Sequence, residues 1–420
     1  MNMISYFIPD NVQDVLFAVF QILFATIWIW LPFFLVVAAF KMYMRYIQLH
    51  FIQKQGGTLL EIKLPAEIQK SPRAMEVVIS QLYQTGTSKN FIEAFWDGKV
   101  RPWWSLELVG IGGDVHFFIW TQDKWKNIVE SQIYAQYPNV EIYEVPDYTY
   151  SLVHDPKKWG MWGTYFKLTQ DDVYPIKTYV DYKLDVQEGL EEEFKVDPIT
   201  PVIEYLGQLK KGEQCWYQIL IQAHRKEKIT DLRLFPQSDW KKRIEAEIKK
   251  NRQALKEKVP SITGEGMIEI GRVPTTGERE TVEALERSMG KWPFEVMIRA
   301  IYLADNNAFT APNIPALINS IRQYSSNSGN GFKLGWFTDY DHPWNDFRRI
   351  RRNKIEKQML DAYKRRSIFN HPYKNFHIKP YILTTEELAT IYHFPGGVAT
   401  TPTFARIPSR KAEAPTNLPG

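Results

Sequence analysis

One stretch of the 420-residue sequence concentrates charge: residues 348–366 hold nine Lys or Arg and two acids, whereas the whole chain has a net charge of +4. The nine cations are Arg348, Arg349, Arg351, Arg352, Lys354, Lys357, Lys364, Arg365 and Arg366. Cations at this density bind lipid headgroups, acidic partner surfaces or DNA phosphates. A solvated helix face is the plainer alternative, and all of these interpretations stay open.

Nucleotide chemistry requires a glycine-rich loop that ends in Lys and then Ser or Thr, because these groups hold the phosphates and magnesium. The nearest candidates are residues 264–271 and 290–291, but Arg272 and Trp292 follow them. The sequence therefore predicts no P-loop and no nucleotide-binding residue.

Catalytic and metal-binding patterns are also lacking. The lone cysteine, Cys215, excludes an intrachain disulfide and a cysteine-based zinc site. The eight histidines form no His-x-x-x-His or His-Glu pair. Asp339, Asp341 and Asp346 surround His342 and could bind a cation, although a turn rich in capping residues is the favoured interpretation. We expect no catalytic residue, no metal site, no cofactor and no enzymatic activity.

The elements that position the basic stretch begin with an apolar run. Residues 15–40 form 26 uncharged positions, which span about 39 Å as a helix and suffice to cross a hydrocarbon core of about 30 Å. We predict one transmembrane helix here. A cleaved signal peptide is the alternative, but it needs a basic start, and residues 1–14 contain Asp10 and Asp14 without Lys or Arg.

The flanks of this run predict its orientation. Lys41, Tyr43, Arg45 and Tyr46 follow it and are assigned to the membrane interface, with residues 41–57 as a juxtamembrane segment. Because cytoplasmic flanks carry the excess of Lys and Arg, residues 1–14 are expected outside and the bulk of the chain in the cytoplasm. The predicted location is the inner (cytoplasmic) membrane.

The remaining chain predicts an α+β fold. Residues 58–146 follow the order βαββαβ of a ferredoxin-like module. Residues 160–340 suggest a second ferredoxin-like module, in which Tyr174–Leu184 is the first strand and residues 225–277 are a helical insertion. A basic helical segment at 341–382 and a helical, then extended linker at 383–420 complete the prediction.

The C-terminal stretch has the most specific pattern. Residues 383–395 read LTTEELATIYHFP, and residues 409–419 read SRKAEAPTNLP. Thr384 or Thr385 can cap a short helix, and Glu386 and Glu387 favour its positive end.

This stretch resembles the segment just upstream of the motor in HerA/FtsK-superfamily ATPases of conjugation and type IV secretion. The resemblance covers residues 383–419 and implies a membrane-anchored region without its motor, since the sequence ends at Gly420 where the motor would begin. Either the motor is encoded by a separate gene or the chain is a truncation, and both alternatives stay open. It implies the following docking residues for the motor: Thr384, Thr385, Glu386, Glu387, Leu388, His393, Pro395, Asn417, Leu418 and Pro419.

The resulting hypothesis is a membrane-anchored scaffold that docks a separate P-loop ATPase in a DNA- or protein-transfer machine. The expected partners are the lipid bilayer and this ATPase, while a homo-oligomer and direct DNA contact stay open. The alternative is a membrane-bound ligand-sensing or interaction module unrelated to secretion.

Overall fold

The computed structural model describes residues 10–65, 68, 70–86, 90–185, 196–225, 239–254, 256–260, 267–326, 329–340, 344 and 346–396. The chain divides into two compact units. The N-terminal unit comprises residues up to Lys54 together with Ser88–Lys99, and the sheet unit comprises Gln55–Thr87 and the chain from Val100 onward.

The helices are α1 (Asp10–Ala25), α2 (Ile27–Gln55), α3 (Pro72–Gln81), α4 (Phe91–Phe95), α5 (Lys126–Gln136), α6 (Thr200–Gly207), α7 (Trp240–Ala254), α8 (Thr276–Met289), α9 (Asn313–Asn319), α10 (Ile350–Lys364) and α11 (Thr385–Ile391). The strands are β1 (Thr58–Lys63), β2 (Trp104–Ile111), β3 (Asp114–Thr121), β4 (Glu141–Val145), β5 (Trp159–Leu168), β6 (Glu213–Ala223), β7 (Lys256–Pro260), β8 (Met267–Gly271), β9 (Pro293–Asp305), β10 (Phe332–Phe337) and β11 (Tyr381–Thr384).

The apolar run predicted to span the membrane is shared by two helices. α1 ends at Ala25, and α2 continues from Ile27 to Gln55, with Pro32 inside it. Between them the N–H of Thr26 still donates to the carbonyl of Ile22 at 2.9 Å. α2 has 29 residues and is long and apolar enough to cross a membrane, judged by length and composition. The predicted span of residues 15–40 therefore overlaps both helices, and the helix that can cross extends further along the chain.

The sheet unit is built on one nine-stranded sheet. Its strands follow the order β10-β5-β9-β6-β2-β3-β1-β4, while β11 also pairs with β9. Each of these pairings is antiparallel. β7 and β8 form a separate two-stranded sheet.

The pairing of β2 with β6 joins what the sequence predicted as two modules. Their register runs from Trp104 opposite Ile221 to Ile111 opposite Gln214. In two independent modules β2 and β6 would each expose an edge of unpaired backbone groups, whereas here these groups bond to each other. The sequence predicted two separate modules, whereas the structure joins their strands in a single continuous sheet.

Helices cover the two faces of the sheet differently. Successive residues of a strand point to opposite faces, so each face collects alternate positions. One face forms the main apolar core, which includes Leu108, Ile219 and Ile298 from the strands and buried side chains of α3, α5, α6, α9 and α11. α10 lies on the other face, where its buried Met359 meets the backbone position of Gly163 in β5.

The predicted strand Tyr174–Leu184 is wrong, because this segment consists of turns and β5 takes the strand position. Two of its backbone N–H groups donate to side chains of α11, and others donate to backbone carbonyls, as Lys177 does to Tyr324. The N–H of Ile176 donates to Glu387, and the N–H of Tyr179 donates to Thr390. Helix α11 thus fixes the loop.

Candidate functional site

Helix α10 carries most of the predicted basic stretch, and its two sides differ. Asp346 caps its start, because the Asp346 carboxylate accepts hydrogen bonds of 2.8 Å from the N–H groups of Arg351 and Arg352. Met359 and Tyr363 are buried beneath the helix on the sheet. The opposite side faces solvent, so α10 presents a charged face on an anchored base.

Six of the nine predicted basic residues are exposed and define the exposed basic face. They are Arg348, Arg349, Arg351, Lys354, Lys357 and Arg365. Arg365 is paired with Asp361 of the same helix at 2.9 Å. This face can attract phosphates or carboxylates by charge.

Arg352 and Lys364 are half-buried and serve the helix. Arg352 pairs with Glu356 at 2.8 Å and with Asp339 at 2.9 Å. The Nζ of Lys364 donates to the backbone carbonyl of Leu152 at 2.6 Å, and burial lowers the pKa of this amine. Neither cation is as available to a partner as the exposed face.

The prediction that Arg366 belongs to a charged surface is wrong, because this residue is buried. Its guanidinium donates to both carboxylate oxygens of Glu107, at 3.0 and 3.2 Å, and also to the carboxylate of Asp147. Burial by itself would raise the pKa of Asp147, but the adjacent Arg366 holds this pKa below its usual value. Arg366 therefore belongs to the interior of the sheet unit.

Glu107 begins a polar row that crosses four strands. In the sheet register Glu107 lies opposite Gln218, Gln218 lies opposite Arg299, and Arg299 lies opposite Tyr165. The Nε2 of Gln218 donates to Glu107 at 2.7 Å, and the Nε of Arg299 donates to Gln218 at 2.6 Å. Glu107, Gln218, Arg299 and Tyr165 are each fully buried.

The polar row also binds the end of α10. The Nη2 of Arg299 donates to the carbonyl of Ala362 at 2.8 Å, and Arg366 reaches Glu107 from just beyond the helix. The guanidinium of Arg366 pairs with the carboxylates of Glu107 and Asp147, while that of Arg299 is hydrogen-bonded to Gln218 and to the carbonyl of Ala362. A buried charge is tolerated when it is paired and hydrogen-bonded, so the row attaches α10 to the sheet.

The sequence analysis missed this row, although a signal for it was present. Glu107 and Arg299 are charged residues within otherwise apolar strand patterns. Charges at such positions are rarely buried without a partner. Their pairing depends on the β2–β6 and β6–β9 register, which no local pattern specifies.

The predicted docking residues from Thr384 to Pro395 are buried. α11 packs against α3 and the sheet core, with Leu388 fully buried. Since a docking surface must be exposed, these residues do not form one in this fold. Asn417, Leu418 and Pro419 lie outside the described residues.

A second group of buried charges holds α11 in place. The carboxylate of Glu386 pairs with the Nε of Arg287 at 3.0 Å and accepts the Thr178 hydroxyl at 2.8 Å. Glu76 of α3 accepts from Lys291 at 2.7 Å and from the hydroxyl of Tyr179 at 2.5 Å. Glu386, an acid of the predicted docking motif, therefore has its partners inside the chain.

Glu387 completes a capping box at the start of α11. Its carboxylate accepts the N–H of Thr384 at 2.8 Å, and the Thr384 hydroxyl accepts the N–H of Glu387. Burial raises the pKa of Glu387 to about 7, although hydrogen bonds from Thr384 and Ile176 oppose the shift. His393, at the other end of the motif, is buried and its Nε2 lies 2.9 Å from the carboxylate of Asp197.

The predicted interface residues Lys41, Tyr43, Arg45 and Tyr46 are all exposed on α2. They lie on one continuous helix with the apolar residues that precede them. Lipid-facing helices combine this apolar surface with aromatic and basic residues at the membrane boundary. The arrangement suits an anchor.

The lone cysteine and the aspartates around His342 were the remaining candidates for a reactive or metal-binding site. The Cys215 thiol is fully buried, and burial raises its pKa, which disfavours the reactive thiolate. Asp339 pairs with Arg352 of α10, and Asp346 caps the start of that helix. Asp341 and His342 lie outside the described residues. Within the described part of the chain, no three His, Cys, Asp or Glu side chains group closely enough to hold a metal ion.

The substitution Arg366→Ala is expected to lower the free energy of unfolding by about 3–5 kcal/mol, because it leaves the buried carboxylate of Glu107 and the half-buried carboxylate of Asp147 without their cation. The neighbouring Arg365→Ala is the matched control and should change it by less than about 0.5 kcal/mol, since its side chain is exposed. Urea denaturation of the two variants measures the difference. Equal losses would contradict the role of the polar row.

Glu387 should make stability depend on pH. Because its pKa is raised, Glu387 keeps its proton in the folded chain, whereas the unfolded chain releases this proton near pH 4.5. The contribution of Glu387 to the free energy of unfolding is therefore complete below pH 4.5 and is lost as the pH rises to about 7. Glu387→Gln should remove this part of the slope, which is at most about 1.4 kcal/mol per pH unit.

Urea denaturation between pH 4.5 and 7 tests this expectation. The control is Glu283→Gln, an exposed position on α8. The Glu387 variant should show a flatter decline of stability with rising pH than the control. Parallel curves for both variants and the parent chain would show that Glu387 does not titrate in this range.

The sequence model of a family described as "Domain of unknown function (DUF8128)" matches residues 48–406. A comparison with curated proteins found no match. The matched range begins within α2, after the uncharged run, and includes every described element of the sheet unit.

Proposed function

The chain belongs to the DUF8128 family, and we propose that it is a membrane-anchored scaffold without catalytic activity, which tethers a sheet domain with a basic face to a bilayer. One observation carries this proposal: α2 exposes large apolar side chains along its length. Trp28, Ile29 and Phe33 are 85%, 77% and 73% exposed. Exposed apolar surface of this extent marks an interaction with lipid or protein, and the uncharged run fits the bilayer.

The orientation follows from the charges of α2. Lys41, Arg45 and Lys54 lie on the C-terminal half of the helix, after the apolar residues. The positive-inside rule supports an N-terminus outside the inner membrane and a cytoplasmic sheet domain. We also interpret the sheet as two ferredoxin-like halves fused at β2 and β6, since each half keeps the strand order of that module.

The exposed basic face supplies the contact with a partner. Its charges are held at a fixed orientation, because Arg366 and Arg299 attach the end of α10 to the sheet. A rigid row of cations suits an acidic protein surface, and the resemblance of residues 383–419 suggests a separately encoded P-loop ATPase of a conjugation or type IV secretion machine. If this chain and the ATPase are both held at one membrane, the effective concentration of each for the other rises.

The burial of residues 384–395 changes where the ATPase can bind. The residues that support docking are now those of the exposed basic face, with Asn417, Leu418 and Pro419 of the tail as a second candidate. Charge on the rim of an interface mainly governs the rate and salt dependence of association. The proposed complex should therefore weaken as salt is added.

The anchor is tested by the double variant Leu35→Asp and Val36→Asp. Two carboxylates in the apolar half of α2 cost up to about 2.5–3.5 kcal/mol each on insertion scales, so the full chain should move from the carbonate-resistant membrane pellet to the supernatant. Val196→Asp, which changes an exposed residue of the sheet unit, is the control and should stay in the pellet. A parent chain found in the supernatant would contradict the anchor.

The basic face is tested by reversing Lys354 and Lys357 of α10 to Glu. Co-purification of the full chain with the P-loop ATPase encoded beside it should fall several-fold, because two attractive charges become repulsive. The control reverses Lys241 and Lys249, two exposed lysines of the equally long helix α7. If the parent chain recovers no ATPase, the partner is wrong; if both pairs behave alike, the basic face is not the contact.

A further inference from the structure

Helix α4 of the N-terminal unit exposes apolar side chains to an unusual degree. Phe91, Ile92 and Trp96 are 68%, 70% and 76% exposed. At 100° per residue, Phe91, Ile92, Phe95 and Trp96 fall within one stripe of about 140°. We call this stripe the apolar face of α4.

The opposite side of α4 is polar or packed. Glu93 pairs with Lys99 at 3.2 Å, and the N–H of Lys99 donates to the carbonyl of Glu93 at 3.0 Å. Ala94 is buried. The contacts between Glu93 and Lys99 close the turn that follows α4. Most of the apolar face of α4 is exposed and does not pack within the N-terminal unit.

α4 lies against α2 where the uncharged run ends. The rings of Phe95 and Phe40 are 5.9 Å apart. Further along, Gly98 has a φ of +65°, and a β-carbon there would lie 2.5 Å from the carbonyl carbon of Ile47. Only glycine permits this approach, so α4 and its following turn contact α2 between Phe40 and Ile47.

This part of α2 corresponds to a membrane boundary. Phe40 is the last residue of the uncharged run, and Lys41 and Arg45 are the first charges after it. From Phe40 to Ile47 a helix rises about 10 Å, which is comparable to the depth of a headgroup layer. Any side chain held beside this stretch is placed at the level of the lipid headgroups.

We propose that α4 is a second membrane contact, in which Phe91, Ile92 and Trp96 enter the boundary between headgroups and acyl chains beside the anchor helix. Tryptophan and phenylalanine are favoured at this depth, and an interfacial helix buries its apolar face by about 5–10 Å. The contact is continuous with the lipid-facing surface of α2. It fixes how far α2 is inserted, because one helix alone can slide and tilt.

This inference rests on the proposed anchoring by α2, and its test separates the two. Trp96→Cys is introduced into the full chain, labelled with an environment-sensitive fluorophore and reconstituted in vesicles of phosphatidylcholine and phosphatidylglycerol. Cys215 is kept, since it is fully buried, and the unsubstituted chain reports its background labelling. Phe33→Cys reports on the anchor, and Val273→Cys, 84% exposed in the sheet unit, reports on solvent.

Lipids with a spin label near the top of the acyl chain should quench the probe at position 96 by about twofold, because that label lies at the depth of an interfacial helix. Lipids labelled near the chain end should quench the probe at position 33 more strongly, and neither lipid should affect position 273. Aqueous iodide should reach position 273 but not position 96.

Other outcomes overturn the inference in distinguishable ways. Lipid quenching at position 33 together with iodide access at position 96 removes the second contact and leaves the anchor intact. Protection of position 96 from both lipid labels and iodide means that a second copy or a partner protein covers α4. Absence of lipid quenching at both positions 33 and 96 removes the anchor and, with it, the second contact.

Discussion

The antiparallel pairing of β2 with β6 is the constraint on which the rest of the sheet unit depends. It joins the two halves of the sheet and sets Glu107 directly opposite Gln218. That register lets Glu107 accept from Gln218, and lets Arg366 reach Glu107 from the end of α10. A shift by one residue would turn Glu107 to the apolar face, so the placement of the basic helix depends on this single register.

Local patterns predicted many elements because their signals are local. Ser followed by Pro is a local start signal for a helix, and Ser71 and Pro72 are the N-cap and first residue of α3. The single sheet could not be predicted in the same way, since it depends on pairing between residues more than one hundred positions apart. Tyr174–Leu184 has the composition of a strand, yet the N–H groups of Ile176 and Tyr179 donate to side chains of α11, which lies far along the chain.

The basic stretch shows how burial divides a uniform sequence. Arg365 and Arg366 are neighbours of the same type, but one lies in solvent and the other between two carboxylates in the interior. The sequence predicted a basic helical segment at 341–382, but the helix covers only Ile350–Lys364, and residues 381 and 382 belong to β11. The distinction between the two arginines required the fold. The apolar residues Phe91, Ile92, Phe95 and Trp96 are visible in the sequence. Their position beside α2 follows only from the contact of Phe95 with Phe40 in the structure.

The described part of the most specific sequence motif, residues 383–395, is explained by packing. The spacing of Thr384 and Glu387 is that of a capping box, and both residues are buried while they satisfy the first backbone groups of α11. Glu386 is held by Arg287, and Leu388 fills the core. A motif fully accounted for by the interior of its own domain has no side chains left for docking. The exposed cations of the sheet unit's basic stretch lie elsewhere, on α10 and next to its two ends.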